Sequence, residues 1–357
     1  MLEQKIEQFR DQVLTAAAAK QTLRIRGGGT KDWYGQAIDG DILDTREYCG
    51  IVDYEPTELV ITARCGTPLV EIEAALAARQ QMLAFEPPHF GDAATFGGVV
   101  AAGLSGPRRA TSGAVRDFVL GAVLMDGKGD VLTFGGQVMK NVAGYDVSRL
   151  LAGSMGTLGL MLQHSVKVLP LAVREASLRF ELSEIEAIRR LNEWGGQPLP
   201  LSASCWHDGV MTVRLAGAQA AVEAAVRQFG GEAVADGALF WAGLREQQHP
   251  FFSFPADGAD SLWRLSVPST ASAIVLKGEQ LIEWGGAQRW LKAGSDAATA
   301  RNIRAAVTAV GGHATLFRGG DKSVGVFQPL APAIARIHER LKASFDPSHV
   351  FNPGRMY

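Results

Sequence analysis

The segment RGGGTK (26–31) follows LRIR (23–26), which is predicted to be a short strand. Consecutive glycines allow a tightly curved backbone in which successive N–H groups converge on an anion. Arg26 and Lys31 add positive charge and Thr30 adds a hydroxyl donor, so the segment would suit a pyrophosphate. A flexible surface turn explains this segment alone equally well. The chain contains neither G-x-x-x-x-G-K-[ST] nor G-x-G-x-x-G, which disfavours a Walker A loop and a nicotinamide-binding Rossmann fingerprint.

After this first glycine-rich segment come a second, within residues 95–106, and a third, within residues 140–159. The side chains of the second segment are almost all small or apolar, so a flat aromatic ligand could lie against its backbone. A tightly packed, buried chain crossing is the alternative interpretation. In the third segment, Ala152, Ser154 and Gly156 superficially resemble a nucleophile elbow. The first glycine of that motif is missing and a strand is predicted to follow, which disfavours a serine hydrolase.

The composition excludes several classes of protein. The 357 residues include 35 basic and 37 acidic side chains, so the net charge is −2, which argues against nucleic acid as the main partner. No apolar run approaches the ~20 residues that span a bilayer, and the N-terminal residues lack the apolar core of a signal peptide. Three scattered cysteines, Cys49, Cys65 and Cys205, form no C-x-x-C motif. A disulfide framework or an iron–sulfur or zinc site within this chain is therefore not expected, and a reducing cytoplasm is the expected location.

Hydrophobic periodicity predicts both helices and strands. The predicted helices are residues 2–20, 68–80, 145–152 and 331–344, and the predicted strands of the same region are 23–26, 51–65, 118–124, 130–134 and 157–169. An internal echo follows, because 209–235 and 286–318 both read strand, helix, Gly-Gly, strand. Each is preceded by a strand–helix–strand pattern, at 176–206 and 262–285. The fold is therefore expected to be α+β, with a duplicated β-α-β-β-α-β unit of ferredoxin-like type.

These segments in this order resemble the FAD-binding domain of the vanillyl-alcohol oxidase and p-cresol methylhydroxylase (PCMH) group of flavoproteins. Residues 26–31 match the pyrophosphate loop of that group, and 95–106 match its second phosphate- and flavin-contacting loop. The segments GAVRDFVLG (113–121), 144–159 and NPG (352–354) match the remaining conspicuous motifs. The resemblance implies a PCMH-type FAD-binding domain of two α+β subdomains at 1–170 and the duplicated domain at 171–330. It also implies that residues 331–357 form a helix and a tail that returns to the FAD domain.

The resemblance further implies which residues contact FAD. They are Arg26, Gly27, Gly28, Gly29, Thr30, Lys31, Thr95, Gly97, Gly98, Gly103, Ser105, Gly106, Gly156, Thr157, Gly159 and Asn352. Some members of the group attach the flavin through a histidine just after the glycine loop. Because Thr30 and Lys31 occupy that stretch here, non-covalent FAD is expected. Members that oxidise 2-hydroxy acids carry a histidine-rich metal motif, and this chain has none, so no metal is expected.

Within the group, the chain length and residues 106–121 most resemble the FAD-binding E subunits of bacterial glycolate oxidases. That resemblance implies oxidation of glycolate or a similar 2-hydroxy acid, a homologous FAD subunit and an iron–sulfur subunit as partners, and no direct insertion into the membrane. Peripheral attachment to the inner membrane through partners stays open. The alternative hypothesis is an FAD-bearing structural or electron-relay subunit without a substrate site of its own.

Candidates for the catalytic chemistry are few. Oxidation of a 2-hydroxy acid requires a base for the hydroxyl proton and a cation for the carboxylate. Arg109 could hold an anion, and Lys140 and Tyr145 could approach the flavin. His313 opens a predicted strand of the second domain, where it could face the flavin or complete a turn. A solvated loop that binds nothing is the alternative for Arg109, and the expectation for Lys140 and Tyr145 depends on the geometry of the family.

Overall fold

The computed structural model describes residues 2–136, 146–254 and 261–356. These residues form two compact units. Unit one comprises the described residues within 1–105, 113–170 and 329–357, and unit two those within 106–112 and 171–328. Both units combine helices and strands, so the predicted α+β class is confirmed. Among the described residues, no helix has the length and apolar character needed to cross a bilayer.

The helices and strands are numbered in chain order. The helices are α1 (Leu2–Ala19), α2 (Leu69–Ala77), α3 (Phe96–Ala102), α4 (Arg109–Ser112), α5 (Val115–Phe118), α6 (Val147–Leu150), α7 (Glu184–Gly195), α8 (Gln219–Phe229), α9 (Gly237–Arg245), α10 (Ala297–Ala309) and α11 (Pro332–Phe345). The strands are β1 (Leu23–Arg26), β2 (Asp41–Asp44), β3 (Ile51–Glu55), β4 (Val60–Arg64), β5 (Gln81–Met82), β6 (Val119–Met125), β7 (Val131–Gly135), β8 (Leu160–Lys167), β9 (Leu169–Pro170), β10 (Arg174–Glu181), β11 (Leu201–His207), β12 (Val210–Gly217), β13 (Glu232–Ala233), β14 (Ser261–Ser266), β15 (Glu279–Glu283), β16 (Gln288–Ala293) and β17 (His313–Arg318).

Unit one is built on a five-stranded sheet of order β3-β4-β8-β6-β7, in which all neighbours are antiparallel. β1 and β2 form a separate parallel pair. The sequence predicted strand character throughout 51–65, but the chain turns between β3 and β4. Pro56 begins this turn, and Leu59 adopts a left-handed φ of 57°. Proline pre-sets the φ of a turn, which explains the interruption.

The α2 and α3 helices supply the core of unit one beside the sheet. Leu69, Ile72 and Leu76 lie at helical spacing on α2 and are fully buried. They belong to one apolar cluster with Phe96 and Val100 of α3. Burial of such side chains contributes roughly 1.5–3 kcal/mol each. This packing fixes α3, and with it the second glycine-rich segment.

The second glycine-rich segment was expected to be a loop and is instead largely helical. The Thr95 hydroxyl accepts a hydrogen bond from the Gly98 N–H and caps the start of α3. Gly103 ends the helix in the left-handed conformation, with a φ of 63°. Because of its many glycines, the sequence did not indicate a helix here, although Thr95 and Gly103 cap its two ends.

Unit two contains an eight-stranded sheet of order β13-β10-β12-β11-β15-β16-β14-β17. Each half has the order expected of a β-α-β-β-α-β unit, and the halves join through the antiparallel β11–β15 pair. The second half departs from the prediction because the strand–helix–strand pattern expected at 262–285 contains no helix between β14 and β15. Pro268 lies two residues after the end of β14 and disfavours the helical conformation of the residue before it.

A buried arginine stabilises the irregular segment that replaces this helix. Arg289 on β16 is fully buried, and its guanidinium donates hydrogen bonds to the carbonyl oxygens of Ala271, Ser272 and Gly286. The bonds to Ala271 and Ser272 satisfy backbone acceptors that a helix would have paired internally. The Arg289 side chain on β16 thereby replaces hydrogen bonds that the backbone of a helix would have made.

We expect Arg289→Met to destabilise unit two by about 2 kcal/mol, because three carbonyl groups lose the buried donor that they share. Urea unfolding followed by tryptophan fluorescence measures the change. Arg301→Met, at an exposed position of α10, is the matched control and is expected to unfold like the unaltered chain. Equal stability of the two variants would show that the guanidinium contributes nothing.

A second buried polar side chain, His164, is expected to make unit one sensitive to acid. His164 on β8 is fully buried against Phe96, and neither ring nitrogen has a hydrogen-bond partner among the described residues. Burial lowers the pKa of His164 to about 4 from its usual 6.5. Between these two pH values the unfolded chain binds the additional proton, so stability falls as the pH decreases.

Because one pH unit in this interval is worth about 1.36 kcal/mol, the loss attributable to His164 reaches about 3 kcal/mol near pH 4. His164→Leu is expected to remove this part of the pH dependence, as measured by urea unfolding between pH 7.5 and 4. His338→Leu on α11 should retain it. A steep acid dependence that persists in His164→Leu would assign the effect to other groups.

Candidate functional site

Unit one contains a small cavity whose wall is mostly backbone and small side chains. It is lined by Ile25, Gly27, Thr45, Cys65, Gly97, Gly98, Ala101, Met155, Gly156, Gly159, Met161 and Asn352. Its volume is about 70 Å³, so it encloses only part of a ligand as large as a dinucleotide. Six of the residues singled out from the sequence line it: Gly27, Gly97, Gly98, Gly156, Gly159 and Asn352.

The first glycine-rich segment lies against the start of α3. A Cβ added to Gly28 would lie 1.5 Å from the carbonyl oxygen of Ala93, and one added to Gly27 would lie 2.2 Å from the Thr95 hydroxyl. The first glycine-rich segment therefore lies so close to Ala93 and Thr95 that neither glycine position has room for a side chain. Among the described residues, none accepts a hydrogen bond from the backbone N–H groups of residues 27–30. Four successive unpaired donors at the end of a strand suit an anion such as a pyrophosphate.

The cations of this segment have protein partners. The Arg26 guanidinium forms an ion pair with Asp32, at 2.7 Å between Nε and Oδ2. Lys31 Nζ donates to the carbonyl oxygen of His89 at 3.0 Å and lies 5.6 Å from the centre of the Phe90 ring. The side chain of Lys31 thus ties the glycine segment to residues 89–90, and the Arg26–Asp32 pair is exposed and exchangeable.

The second and third glycine-rich segments pack directly on each other. A Cβ on Gly103 would lie 2.7 Å from the Cα of Gly153. The N–H of Gly153 donates to the carbonyl of Val100, and that of Met155 donates to the carbonyl of Ala101. Two segments fifty residues apart in the sequence are therefore joined at the end of α3, where they form one wall of the cavity. Gly103 serves this packing and does not itself line the cavity.

Asn352 connects the C-terminal residues to two walls of the cavity. Its side-chain oxygen accepts from the N–H of Ile25 at 3.0 Å, and its side-chain nitrogen donates to the carbonyl of Met155 at 2.7 Å. A Cβ on Gly156 would lie 2.7 Å from that nitrogen. The amide therefore positions β1 relative to the third glycine-rich segment, and glycine at 156 makes room for it.

A buried lysine, which the sequence analysis did not identify, fixes the segment that carries Asn352. Lys342 on α11 donates from Nζ to the carbonyl oxygens of Thr157, at 2.6 Å, and Phe351, at 2.8 Å. It also pairs with the fully buried carboxylate of Asp346, which in turn accepts from the N–H groups of Val350 and Phe351. Burial lowers the pKa of Lys342, and Asp346 opposes that shift. The sequence signal was faint, since an i, i+4 Lys–Asp pair on an amphipathic helix resembles an ordinary surface pair.

The other residues singled out from the sequence lie elsewhere. The Thr157 hydroxyl donates to the carbonyl of Ser154, and the Ser105 hydroxyl accepts from the N–H of Val115. In unit two, the carbonyl of Gly106 accepts from Trp284 Nε1, and the Arg109 guanidinium lies 4.4 Å from the centre of the Trp284 ring. His313 is exposed at the first position of β17. Lys140 and Tyr145 lie outside the described residues.

Comparison with known proteins adds to this geometry. The profile of the family described as "FAD binding domain" matches residues 3–135. Glycolate oxidase subunit GlcE of Escherichia coli (strain K12) is 52% identical over 347 residues, covering 97% of this chain and 96% of that protein. Shorter matches cover about a third of their proteins: D-lactate dehydrogenase of Archaeoglobus fulgidus, 34% identical over 41% of this chain and 33% of that protein, and glycolate oxidase subunit GlcD of Bacillus subtilis (strain 168), 31% identical over 41% of this chain and 31% of that protein.

The fold also matches a solved structure. Alkyldihydroxyacetonephosphate synthase superposes with a TM-score of 0.67 at 14% identity, covering 97% of this chain and 74% of that chain. At this identity the likeness concerns the fold alone. Together with the FAD-binding profile on residues 3–135 and the near full-length match to GlcE, these findings place the protein: the chain belongs to the FAD-binding GlcE family of glycolate oxidase subunits.

Proposed function

We propose that this chain is the FAD-bearing subunit of a complex that oxidises glycolate or a similar 2-hydroxy acid to the 2-oxo acid. The observation that carries the proposal is 52% identity to GlcE over nearly the whole of both proteins. The cavity of unit one supports it, because glycine-rich backbone from three separated segments converges there. This convergence of backbone from three segments suits a large cofactor better than a small ligand.

The cofactor would be bound without a covalent bond. The free N–H groups of residues 27–30 would hold the pyrophosphate, and the glycines of the cavity wall would admit a flat part of FAD. Bound FAD would supply the acceptor for a hydride from the carbon that carries the substrate hydroxyl. The part of this chain is to bind and orient the cofactor and to exclude water from the enclosed portion. Thr30 and Lys31 occupy the stretch in which a covalently attached flavin would need a histidine.

Electrons would leave this chain through an iron–sulfur partner subunit, with a homologous FAD subunit in the same complex. The cysteines support this division of labour. Burial raises the pKa of Cys65 to about 12 and holds that of Cys205 well above its usual value, so both thiols stay protonated. Cys49 is exposed and alone. A cluster with four thiolate ligands therefore needs another chain.

A specific observation favours a second candidate, an FAD-bearing structural or electron-relay subunit. Of the four candidate catalytic residues, Arg109 stacks on Trp284, and His313 lies at an exposed strand end. Neither lines the cavity of unit one. A subunit that binds FAD and passes electrons requires no base or carboxylate-binding cation of its own.

The visible spectrum separates the two candidates. Protein purified together with its partner subunits, and the same chain purified alone, would each be recorded before and after addition of glycolate under anaerobic conditions. Bleaching of the flavin in the isolated chain supports the oxidase proposal and excludes the relay role. Bleaching only in the complex assigns substrate oxidation to a partner. A chain that carries no FAD and binds none when FAD is added would overturn both candidates.

A further inference from the structure

Arg355, in the C-terminal tail, binds the segment that follows the first glycine-rich segment. Its guanidinium donates from Nη1 to the carbonyl oxygen of Gln36, at 2.9 Å, and from Nη2 to that of Asp32, at 2.8 Å. The N–H of Gln36 donates in return to the carbonyl oxygen of Arg355, at 3.1 Å. These three hydrogen bonds join residues 32–36 to the tail and are separate from the bonds that Asn352 makes with β1 and Met155.

Hydrogen bonds within a turn connect this segment to the glycines. The Asp32 N–H donates to the carbonyl oxygen of Gly29, at 3.1 Å. The indole N–H of Trp33 donates to the carbonyl oxygen of Thr30, also at 3.1 Å. The backbone of Asp32 is therefore held on two sides, its N–H by Gly29 and its carbonyl oxygen by Arg355. A displacement of Asp32 would displace the glycine segment with it.

Gly35 packs closely against both Arg355 and the wall of the cavity in unit one. Its φ of 85° lies in the left-handed region. A Cβ at this position would lie 2.7 Å from Met155 Cε and 3.0 Å from Arg355 Nε. Met155 is one of the residues that line the cavity. This packing leaves residues 32–36 little freedom to move relative to the cavity wall.

Arginine is the side chain that suits this position. Its planar guanidinium presents separate N–H donors in a fixed fork, so one side chain can hold the carbonyl oxygens of two residues at once. Here those carbonyls belong to Asp32 and Gln36. Lysine offers one nitrogen on a flexible stem and cannot reproduce the fork. Because Arg355 is not one of the residues that line the cavity, its effect on a ligand would pass through the segment that it holds.

We propose that Arg355 is a positioning residue for the phosphates of FAD. It holds residues 32–36 so that the N–H groups of residues 27–30 keep the orientation in which they face the pyrophosphate. The inference rests on the proposed function, since it assumes that the glycine segment binds this part of the cofactor. Loss of the guanidinium should therefore disturb the phosphates and leave the surroundings of the flavin ring unaltered.

The complete FAD-free chain, titrated with FAD and followed by flavin fluorescence, measures the affinity. Arg355→Gln is expected to raise the Kd for FAD about 10-fold, because the binding loop is no longer held in place before the ligand arrives. The ³¹P NMR signals of bound FAD should shift, while the visible absorbance band of the flavin stays unchanged. Arg355→Lys should restore only part of the affinity. Arg336→Gln, at an exposed position of α11, removes the same charge and should change none of these quantities.

Two results would overturn this assignment. One is an Arg355→Gln variant with the same Kd for FAD and the same ³¹P signals as the unaltered chain. The other is a visible flavin band that shifts in Arg355→Gln, which would show that the tail supports the cavity as a whole. If the unaltered chain itself binds no FAD, the proposed function fails, and that result is distinct from both. Circular dichroism checks folding, and Arg355→Lys provides the same test, with a several-fold loss expected, should Arg355→Gln not fold.

Discussion

Lys342→Met is expected to destabilise unit one by about 3–5 kcal/mol and to lower its FAD content at least ~10-fold. The substitution leaves the buried Asp346 carboxylate without its cation, and it removes the donor to the carbonyls of Thr157 and Phe351. The segment that ends in Asn352 is then no longer fixed. Because Asn352 connects β1 to the wall of the cavity, the loss should reach the cofactor even though Lys342 does not line the cavity.

Urea unfolding and the ratio of flavin to protein absorbance measure the two effects of Lys342→Met. Arg340→Met, at an exposed position of the same helix, is the matched control and should change neither. The double variant Lys342→Met/Asp346→Leu removes both charges and should recover much of the stability, since replacing a buried ion pair by apolar groups is often neutral. If Lys342→Met retains full FAD and full stability, the buried pair does not position the tail.

Gly28→Val is expected to weaken FAD binding about 100-fold while unit one stays folded. A Cβ at this position would overlap the carbonyl oxygen of Ala93, 1.5 Å away, so the glycine segment must move off the start of α3. The movement separates the unpaired N–H groups of residues 27–30 from the second glycine-rich segment. A hundredfold loss corresponds to about 2.7 kcal/mol, the magnitude typical of a steric conflict at a buried site.

Titration of the FAD-free protein with FAD, followed by flavin fluorescence, measures the affinity. Gly195→Val, near the end of α7, is the matched control, because a Cβ there would meet nothing within 4 Å. It should bind FAD as tightly as the unaltered chain. Unchanged affinity in Gly28→Val would mean that the pyrophosphate is held elsewhere, and circular dichroism distinguishes that result from unfolding.

The parts of the fold that the sequence predicted are those determined by local chemistry. Glycine permits the close approach of backbones, so the segments at 27–29, 97–106 and 153–159 were identifiable in order. The same glycines concealed α3, because glycine is a poor helix former. Thr95, which caps α3, could not be recognised as a helix cap from the sequence alone. The duplicated sheet of unit two was predictable from its repeat of strand and helix periods.

Other features depend on partners that are remote in the sequence. The helix missing between β14 and β15 is compensated by Arg289, whose acceptors lie up to eighteen residues earlier. Lys342 finds an acceptor in Thr157, 185 residues away. In the sequence, His164 resembles any other residue of an alternating strand. Only its burial lowers its pKa and makes the stability of unit one depend on pH. Such contacts are tertiary, and periodicity carries no information about them.

The pairing of β1 with residues 350–352 has a consequence for the order of events during biosynthesis. Leu23 bonds to Val350 and Asn352 through its backbone, and Ile25 bonds to the side chain of Asn352. A ribosome completes the glycine segment at 27–30 more than 300 residues before the segment that holds it in place. Domains otherwise begin to fold during synthesis, N-terminal part first. A nascent chain would therefore display the glycine segment that we propose to hold the pyrophosphate before residues 350–352 exist to pair with β1. Binding of FAD would then be one of the last steps of maturation. Stalled or truncated chains would differ from finished ones because they lack the visible absorbance of bound flavin.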